Sequence, residues 1–164
     1  MTQSTRIPAL GDVVLHAHHG PLDVVAIVKR GGEGQPHLHL RAHGGGVEAL
    51  NLYVPVDRFD PLRFRSPVSV DEIDELEQIV NAKTRVGKET FARRFKNNES
   101  RLAANDPFLA AQVVRDLSQR PTLSAAERDQ LREALRRLNA EIEAVTGRVD
   151  ALRPVVVSTQ DAAA

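Results

Sequence analysis

Histidine is concentrated in the first 43 residues, where a cluster of imidazoles could bind a metal ion. The six residues are His16, His18, His19, His37, His39 and His43. Residues two apart in a strand share a face, so His16 with His18 and His37 with His39 could present four imidazoles to Zn²⁺. The chain has no cysteine, and no acidic residue completes a familiar ligand spacing. We therefore expect turn and strand histidines and no cofactor, and a histidine metal site stays open as an alternative.

The chain also lacks the motifs that mark common catalytic sites. It contains no G-x-S-x-G, no P-loop lysine and no G-x-G-x-x-G. The glycine-rich stretches at 31–34 and 44–46 are not followed by a helical pattern, so we interpret them as turns. Carboxylates cluster at 71–77, where a solvated helix face explains them. The sequence predicts a protein that is not an enzyme.

A basic segment with interleaved aromatic residues is the strongest signal for a binding function. Between Lys83 and Arg101 there are seven basic residues and two acidic ones, although the formal net charge of the whole chain is zero. The acidic run at 71–77 lies just upstream, so the neutral total conceals an uneven distribution of charge. Lysine and arginine neutralise phosphates without reading sequence. The segment therefore indicates a nucleic-acid partner that is bound with little sequence specificity.

Composition limits the size and setting of the protein. The 164 residues are 41% hydrophobic and 27% charged, which is typical of one ordinary globular domain or two small ones. There is no run of eighteen apolar residues, and the first ten residues do not have the pattern of a signal peptide. We expect a cytoplasmic protein without a membrane partner, and a monomer.

The hydrophobic pattern of the sequence changes from strand-like to helical near residue 68. Short β-branched or alternating runs separated by glycine-rich turns fill the first part and predict four or five antiparallel strands in a small Tudor/SH3-like barrel. Helical periodicity follows. We therefore predict an α+β protein in two parts, with a β-barrel domain at 1–68, an all-α domain at 69–150 and a disordered tail at 151–164.

The predicted helices are bounded by local signals. The first covers 70–81, the second begins near Lys88 and stops at Asn105, and Asp106 followed by Pro107 starts the third. Ser124 and Glu127 form an S-x-x-E capping box for the fourth, which Gly147 closes. In the tail, the valines at 155–157 could alternatively pair with an exposed strand edge.

Three stretches resemble the CarD/CdnL family, bacterial transcription regulators that bind RNA polymerase. These stretches are GDVVLHAHHG at 11–20, YVPVD at 53–57 and the segment at 91–128, and the resemblance extends from about residue 10 to residue 147. It implies that the barrel docks on the polymerase β subunit. Arg30 matches a contacting arginine in that family, and Tyr53 occupies a position that is arginine in some relatives.

The resemblance also implies a DNA-contacting role for the helical part. Phe91 matches a position that usually holds tryptophan, which wedges into the minor groove at the upstream edge of the melted promoter. Phenylalanine can also unstack a base step, with less stacking area and no indole N–H. Phe95 is better explained as a core residue. Basic family positions are matched by Arg93, Arg94, Lys96 and Arg128.

Three hypotheses follow from these observations. The first is a transcription regulator that binds RNA polymerase, is associated with the nucleoid through it, and contacts upstream-fork promoter DNA to modulate open-complex stability. The second is a polymerase-binding adaptor that lacks useful DNA contact. The third is the histidine metal-binding protein.

Overall fold

The computed structural model describes residues 7–32, 34–46, 48–60, 63–85 and 87–153. The chain divides into two compact units, one ending at Pro67 and the other beginning at Val68. The first unit is built on a sheet and the second on four α-helices. This two-part α+β architecture confirms the predicted fold class. Among the described helices, none is long and apolar enough to cross a membrane.

Five antiparallel strands form one sheet in the first unit. They are β1 (Val13–His16), β2 (Gly20–Arg30), β3 (Gln35–Ala42), β4 (Asn51–Pro55) and β5 (Phe64–Arg65). Their order is β4-β3-β2-β1-β5. Four strands thus form a meander, and the chain returns through a 3₁₀ turn at Val56–Arg58 so that β5 pairs with β1. In the pairings of the described residues, β4 and β5 are the two edges of the sheet.

Alternation along the central strands builds the core of the sheet unit. Leu22 and Val24 of β2, Leu38 and Leu40 of β3, and Phe64 of β5 are all buried. Successive side chains of a strand point to opposite faces, so this spacing of two puts the leucines on one side. Each such burial contributes about 1.5–3 kcal/mol. The core therefore fixes the register in which β3 pairs with its neighbours.

The second unit contains four α-helices. They are α1 (Val70–Asn81), α2 (Phe91–Ala103), α3 (Pro107–Ser118) and α4 (Ala125–Thr146). The predicted start of α2 near Lys88 was wrong, because Thr90 is its N-cap and accepts a hydrogen bond from the backbone N–H of Arg93. The helix also stops earlier than predicted, and Asn105 takes a left-handed backbone conformation with φ of 53°.

The other helix ends follow the predicted signals. Asp106 accepts hydrogen bonds from two backbone N–H groups of α3, whose first residue is Pro107. Ser124 and Glu127 form the predicted capping box of α4, and Gly147 closes that helix with φ of 73°. A side-chain cap accepts hydrogen bonds from first-turn N–H groups, which have no partner within the helix. At the carboxyl end, a left-handed glycine allows backbone N–H groups to bond the last unpaired carbonyls.

The core of the helical unit is centred on α3. Its residues Val113, Val114 and Leu117 are fully buried and pack with residues of α1 and α4. Leu152, inside the segment predicted as a tail, is also buried, and its N–H and carbonyl bond the side chain of Asn139. The helical unit therefore extends at least to that residue. The remainder of the predicted tail, 154–164, lies outside the described residues.

Candidate functional site

The sheet brings together the two residues that the resemblance assigned to polymerase binding. The guanidinium carbon of Arg30 lies 3.9 Å from the centroid of the Tyr53 ring. On Tyr53, the ring of His39 is stacked at a centroid distance of 4.5 Å and an interplanar angle of 13°. A cation over an aromatic face is stabilised by the ring quadrupole. We call Arg30, Tyr53 and His39 the sheet surface.

Strand register produces this stack. His39 of β3 is directly opposite Tyr53 of β4, and cross-strand neighbours on one face lie close enough for ring contact. Arg30 is the last residue of β2. The Nε2 of His39 is in addition 2.8 Å from the side-chain oxygen of Asn51. An arginine, a tyrosine and a histidine with fixed positions make a compact aromatic and cationic surface beside an edge strand, and such a surface suits protein recognition.

The remaining histidines have structural partners. The Nδ1 of His16 accepts hydrogen bonds from the backbone N–H groups of His18 and His19, and burial with nearby positive charges lowers the pKa of His16 to about 4. His37 is bonded to a backbone carbonyl, and His43 lies 2.6 Å from Asp23. Within the part of the chain that the structure describes, no group of three or more histidine or acidic side chains is arranged to hold a metal ion.

Phe91 stands at the first position of α2 and is 47% exposed, although it is a large aromatic side chain. Helical side chains tilt towards the N-terminus, so a residue in this position extends beyond the helix end. The Phe95 ring lies 5.7 Å from it between centroids, one turn further along the helix. Phe95 is partly buried, and Leu102 on the same side is buried. The two phenylalanines therefore have different environments, as the sequence suggested.

Arg93 and Lys96 lie on the exposed side of α2. At about 100° per residue they are rotated by roughly 200° and 140° from Phe91. The side chain of Arg93 is strongly exposed and its guanidinium is 3.6 Å from the carboxylate of Glu89. Lys96 is exposed as well. These two cations are accessible, but neither lies on the same helix face as Phe91, and Lys96 is more than one turn further along the helix.

Arg94, in contrast, points inward. Its Nε and Nη2 each lie 2.6 Å from the Oε1 of Glu127, and its Nη1 donates to the backbone carbonyl of Glu89 at 3.0 Å. The two side chains of the ion pair are only 15% and 3% exposed. Burial raises the pKa of Glu127, but hydrogen bonds from Arg94 and Ser124 outweigh burial and hold that pKa below its usual value. The arginine thereby connects α2 to α4.

Arg128 follows directly after that buried glutamate, in the first turn of α4. It is exposed and donates through Nη1 to the carbonyl of Leu123. Gln130 of the same helix donates to the carbonyl of Phe95 at 3.1 Å. The beginnings of α2 and α4 are therefore adjacent. We call Phe91, Arg93, Lys96 and Arg128 the α2 surface.

This helical arrangement corresponds to a known protein family. Residues 75–151 match a family model described as the CarD C-terminal domain. This match in the helical unit supports membership of the CarD/CdnL family. The match covers the end of α1 and all of the three following helices, and so it includes every member of the α2 surface.

Family membership gives a general function. CarD proteins are non-enzymatic transcription factors, and this chain is a CarD-like, transcription-associated protein whose family interacts with RNA polymerase. The sheet unit lies outside the matched residues. The chain contains no tryptophan, and Phe91 is the exposed aromatic residue of the matched segment.

The structure also gives importance to residues that the sequence did not single out. His39 was considered as a metal ligand, but its contact is with Tyr53. Glu127 was identified only as part of a helix cap, although it is the buried partner of Arg94. Histidine opposite tyrosine in neighbouring strands could have been found from a correct β3–β4 register. The pairing of Arg94 with Glu127 spans 33 residues and leaves no local signal.

Proposed function

We propose that this chain is a transcription regulator that binds the RNA polymerase β subunit through the sheet surface and contacts upstream-fork promoter DNA through the α2 surface. By both contacts it modulates the stability of the open complex. The observation that carries the proposal is the exposure of Phe91 at the first position of a capped helix within the CarD segment. A large exposed apolar ring is stabilised when a partner removes it from water, so its exposure marks an interaction site.

The chemistry of the α2 surface supports DNA contact. An apolar wedge can enter a minor groove and partly unstack a base step, and phenylalanine is among the residues used in this way. The N-terminus of a helix favours phosphate because its first N–H groups and its dipole are positive. Lys96 and Arg128 add two exposed cations near that end. The wedge would stabilise separated bases while the cations neutralise adjacent phosphates.

The magnitude required for regulation is small. A difference of about 1.4 kcal/mol between the open and closed complexes changes their ratio tenfold. One aromatic ring stacked on a base contributes about 1–3 kcal/mol. Phe91 alone could therefore change promoter opening measurably, and the basic residues would add affinity without adding sequence preference.

The sheet surface supports the polymerase contact. Arginine and tyrosine are enriched among the residues that dominate protein interfaces. Here the ring of Tyr53 contacts both His39 and the Arg30 guanidinium, so little side-chain freedom would be lost on binding. Strand β4, which carries Tyr53, is an edge of the sheet in the described pairings and can offer backbone groups to an extended partner segment.

The salt dependence of DNA binding tests the DNA part of the proposal. Fluorescence anisotropy of the full chain on a forked promoter fragment should give affinity that falls as salt rises, with the slope reduced by about 1 for each of Lys96→Ala and Arg128→Ala. Arg148→Ala is the matched control, since Arg128 lies in the first turn of α4 and Arg148 just beyond its other end, and the helix between them is about 27 Å long at 1.5 Å per residue. Equal slopes in all variants would contradict the assignment.

A second candidate function is a polymerase-binding adaptor without useful DNA contact. It is favoured by the ion pairs that engage two of the four basic family positions, namely Arg94 with Glu127 and Arg93 with Glu89. The same titration separates the two functions. Lack of DNA binding at low salt, with polymerase capture retained, would select the adaptor.

A further inference from the structure

The helical unit contains a cavity of about 180 Å³ whose wall is rich in arginine. It lies where the loop before α2 meets α2, α3 and Arg120, two residues beyond the end of α3. Its wall includes five guanidinium groups, those of Arg85, Arg94, Arg101, Arg115 and Arg120. A single water needs about 10–15 Å³ of such a cavity, so this one has room for a larger oxyanion. Of these five arginines, the sequence assigned only Arg94 to a site, the proposed DNA contact.

The arginines are held in place by other groups of the protein. The carboxylate of Asp116 is bonded by Arg101 at 2.9 Å on one oxygen and by Arg115 at 2.7–2.8 Å on the other. Arg120 donates to the backbone carbonyl of Gly87 at 3.2 Å. Because these contacts fix the guanidinium groups before any ligand arrives, binding would cost little side-chain ordering.

The cavity wall has a net positive charge after its ion pairs are counted. The wall contributes two carboxylates, Glu89 and Asp116, and Glu127 behind the wall neutralises Arg94. Five guanidinium groups therefore face three carboxylates. No described residue accepts a hydrogen bond from Arg85, which is exposed at the rim. This excess of two positive charges matches the charge of a phosphate monoester. Such a group carries about −1.5 to −2 near pH 7, because its second proton has a pKa of about 6.

A buried donor without a partner lies in the same wall. Asn98 is 3% exposed and lines the cavity, and its Nδ2 has no hydrogen-bond acceptor among the described residues. A buried polar group without a partner costs about 1–3 kcal/mol, so such groups are usually paired in folded proteins. An oxyanion is an acceptor and would remove this cost, whereas a cation would not.

We propose that this cavity binds a phosphate group, held by Arg85 and the guanidinium groups fixed around Asp116, with the amide of Asn98 as a further donor. A recessed site with about two excess charges fits a terminal phosphate better than a phosphodiester on the convex surface of a duplex, which carries one charge. This inference does not depend on the wedge role of Phe91 or on polymerase binding.

The test is a titration of the ¹⁵N-labelled full chain with inorganic phosphate, with chloride at matched ionic strength as the comparison. Phosphate should shift the side-chain amide resonances of Asn98 saturably, and chloride should not. Arg85→Glu should weaken phosphate binding by about tenfold or more, because a charge-assisted contact becomes repulsive. Lys83→Glu, in the same loop but outside the cavity wall, is the charge-matched control and should change the affinity less than about twofold.

Two outcomes would overturn the proposal. One is a phosphate response no larger than the chloride response, and the other is equal weakening by Arg85→Glu and Lys83→Glu, which would indicate diffuse charge. Competition identifies the source of the phosphate. Displacement of inorganic phosphate by a nucleoside diphosphate but not by a duplex supports a free phosphorylated ligand, and displacement by the duplex that is lost in Arg85→Glu supports a DNA phosphate in the same site.

Discussion

Arg94 and Glu127 join the beginning of α2 to the beginning of α4 through a buried ion pair, with Nε–Oε1 and Nη2–Oε1 distances of 2.6 Å. Phe91 lies three residues before the arginine, and Arg128 follows the glutamate. The pair thus holds in place the two ends of the α2 surface. Its two charges neutralise each other inside the protein. Arg94 acts on the proposed DNA contact by positioning other residues.

Removing Arg94 should destabilise the helical unit strongly. Loss of one partner leaves a buried charge uncompensated, which costs about 3–5 kcal/mol. Arg94→Ala should therefore lower the free energy of unfolding by this amount in urea denaturation followed by circular dichroism at 222 nm. Arg93→Ala, the neighbouring control, removes an exposed pair and should cost at most about 1 kcal/mol. Similar losses in the two variants would show that the Arg94 pair is not a structural contact of that strength.

Acid should destabilise the sheet unit through His16. Its folded pKa of about 4 lies below the usual 6.5, so the unfolded chain takes up the proton first. The stabilising contribution is complete above pH 6.5, declines as pH falls, and is lost near pH 4. His16→Asn keeps an acceptor for the two backbone N–H groups but does not titrate, so its stability should change less between pH 7 and pH 4.

The single tyrosine provides the measurement for this difference. Tyr53 belongs to the sheet unit and the chain has no tryptophan, so tyrosine fluorescence in urea reports the unfolding of that unit. The pair of His43 and Asp23 is present in both proteins and does not distinguish them. Parallel pH profiles for the wild type and His16→Asn would refute the assignment to His16.

Exchanging the aromatic residue at position 91 should change promoter opening with little change in stability. Phe91→Ala should shorten the lifetime of the open complex because the ring that would unstack a base step is lost, and Phe91→Trp should lengthen it through a larger stacking area. The measurement is decay of heparin-resistant complexes formed with RNA polymerase. Phe95→Ala is the control for packing, and it should reduce the free energy of unfolding by roughly 1–3 kcal/mol. Unchanged lifetimes in both Phe91 variants would exclude the wedge.

The ring of Tyr53, rather than its hydroxyl, should carry its part of the polymerase contact. The ring supplies both the stack on His39 and the face under Arg30. Tyr53→Phe should therefore retain affinity for the polymerase β subunit within about twofold, whereas Tyr53→Ala should reduce it by about tenfold or more. Surface plasmon resonance with the full chain measures both constants. A large loss in Tyr53→Phe would assign the contact to the hydroxyl instead.

Local signals predicted much of the fold. The caps at Asp106 and Ser124 depend on residues within four positions of each other, and the structure contains both of them. The start of α2 was predicted near Lys88, two residues before its N-cap Thr90, although threonine is a preferred N-cap residue. The two-residue strand β5 is too short to give a periodic pattern, and its pairing with β1 depends on the tertiary fold.

The sheet surface and the α2 surface depend on contacts between residues that are far apart in the sequence, so local patterns do not predict them. Arg30 of β2 reaches Tyr53 of β4 across the intervening strand β3, and its position follows from register. The sequence predicted that the basic residues of the segment meet nucleic acid together. Folding directs Arg94 inward and leaves Lys96 exposed. Exposure and partner decide which cations can meet phosphate, and both are properties of the packed helices.

Capture of purified RNA polymerase by the immobilised full chain tests the central claim most directly. Arg30→Glu reverses the charge on the sheet surface, and Lys29→Glu makes the same change at the exposed neighbouring position on the other face of β2. The account predicts capture through the β subunit by the wild type and by Lys29→Glu, with capture lost in Arg30→Glu. Absence of capture by the wild type, or equal capture by the two variants, would contradict it.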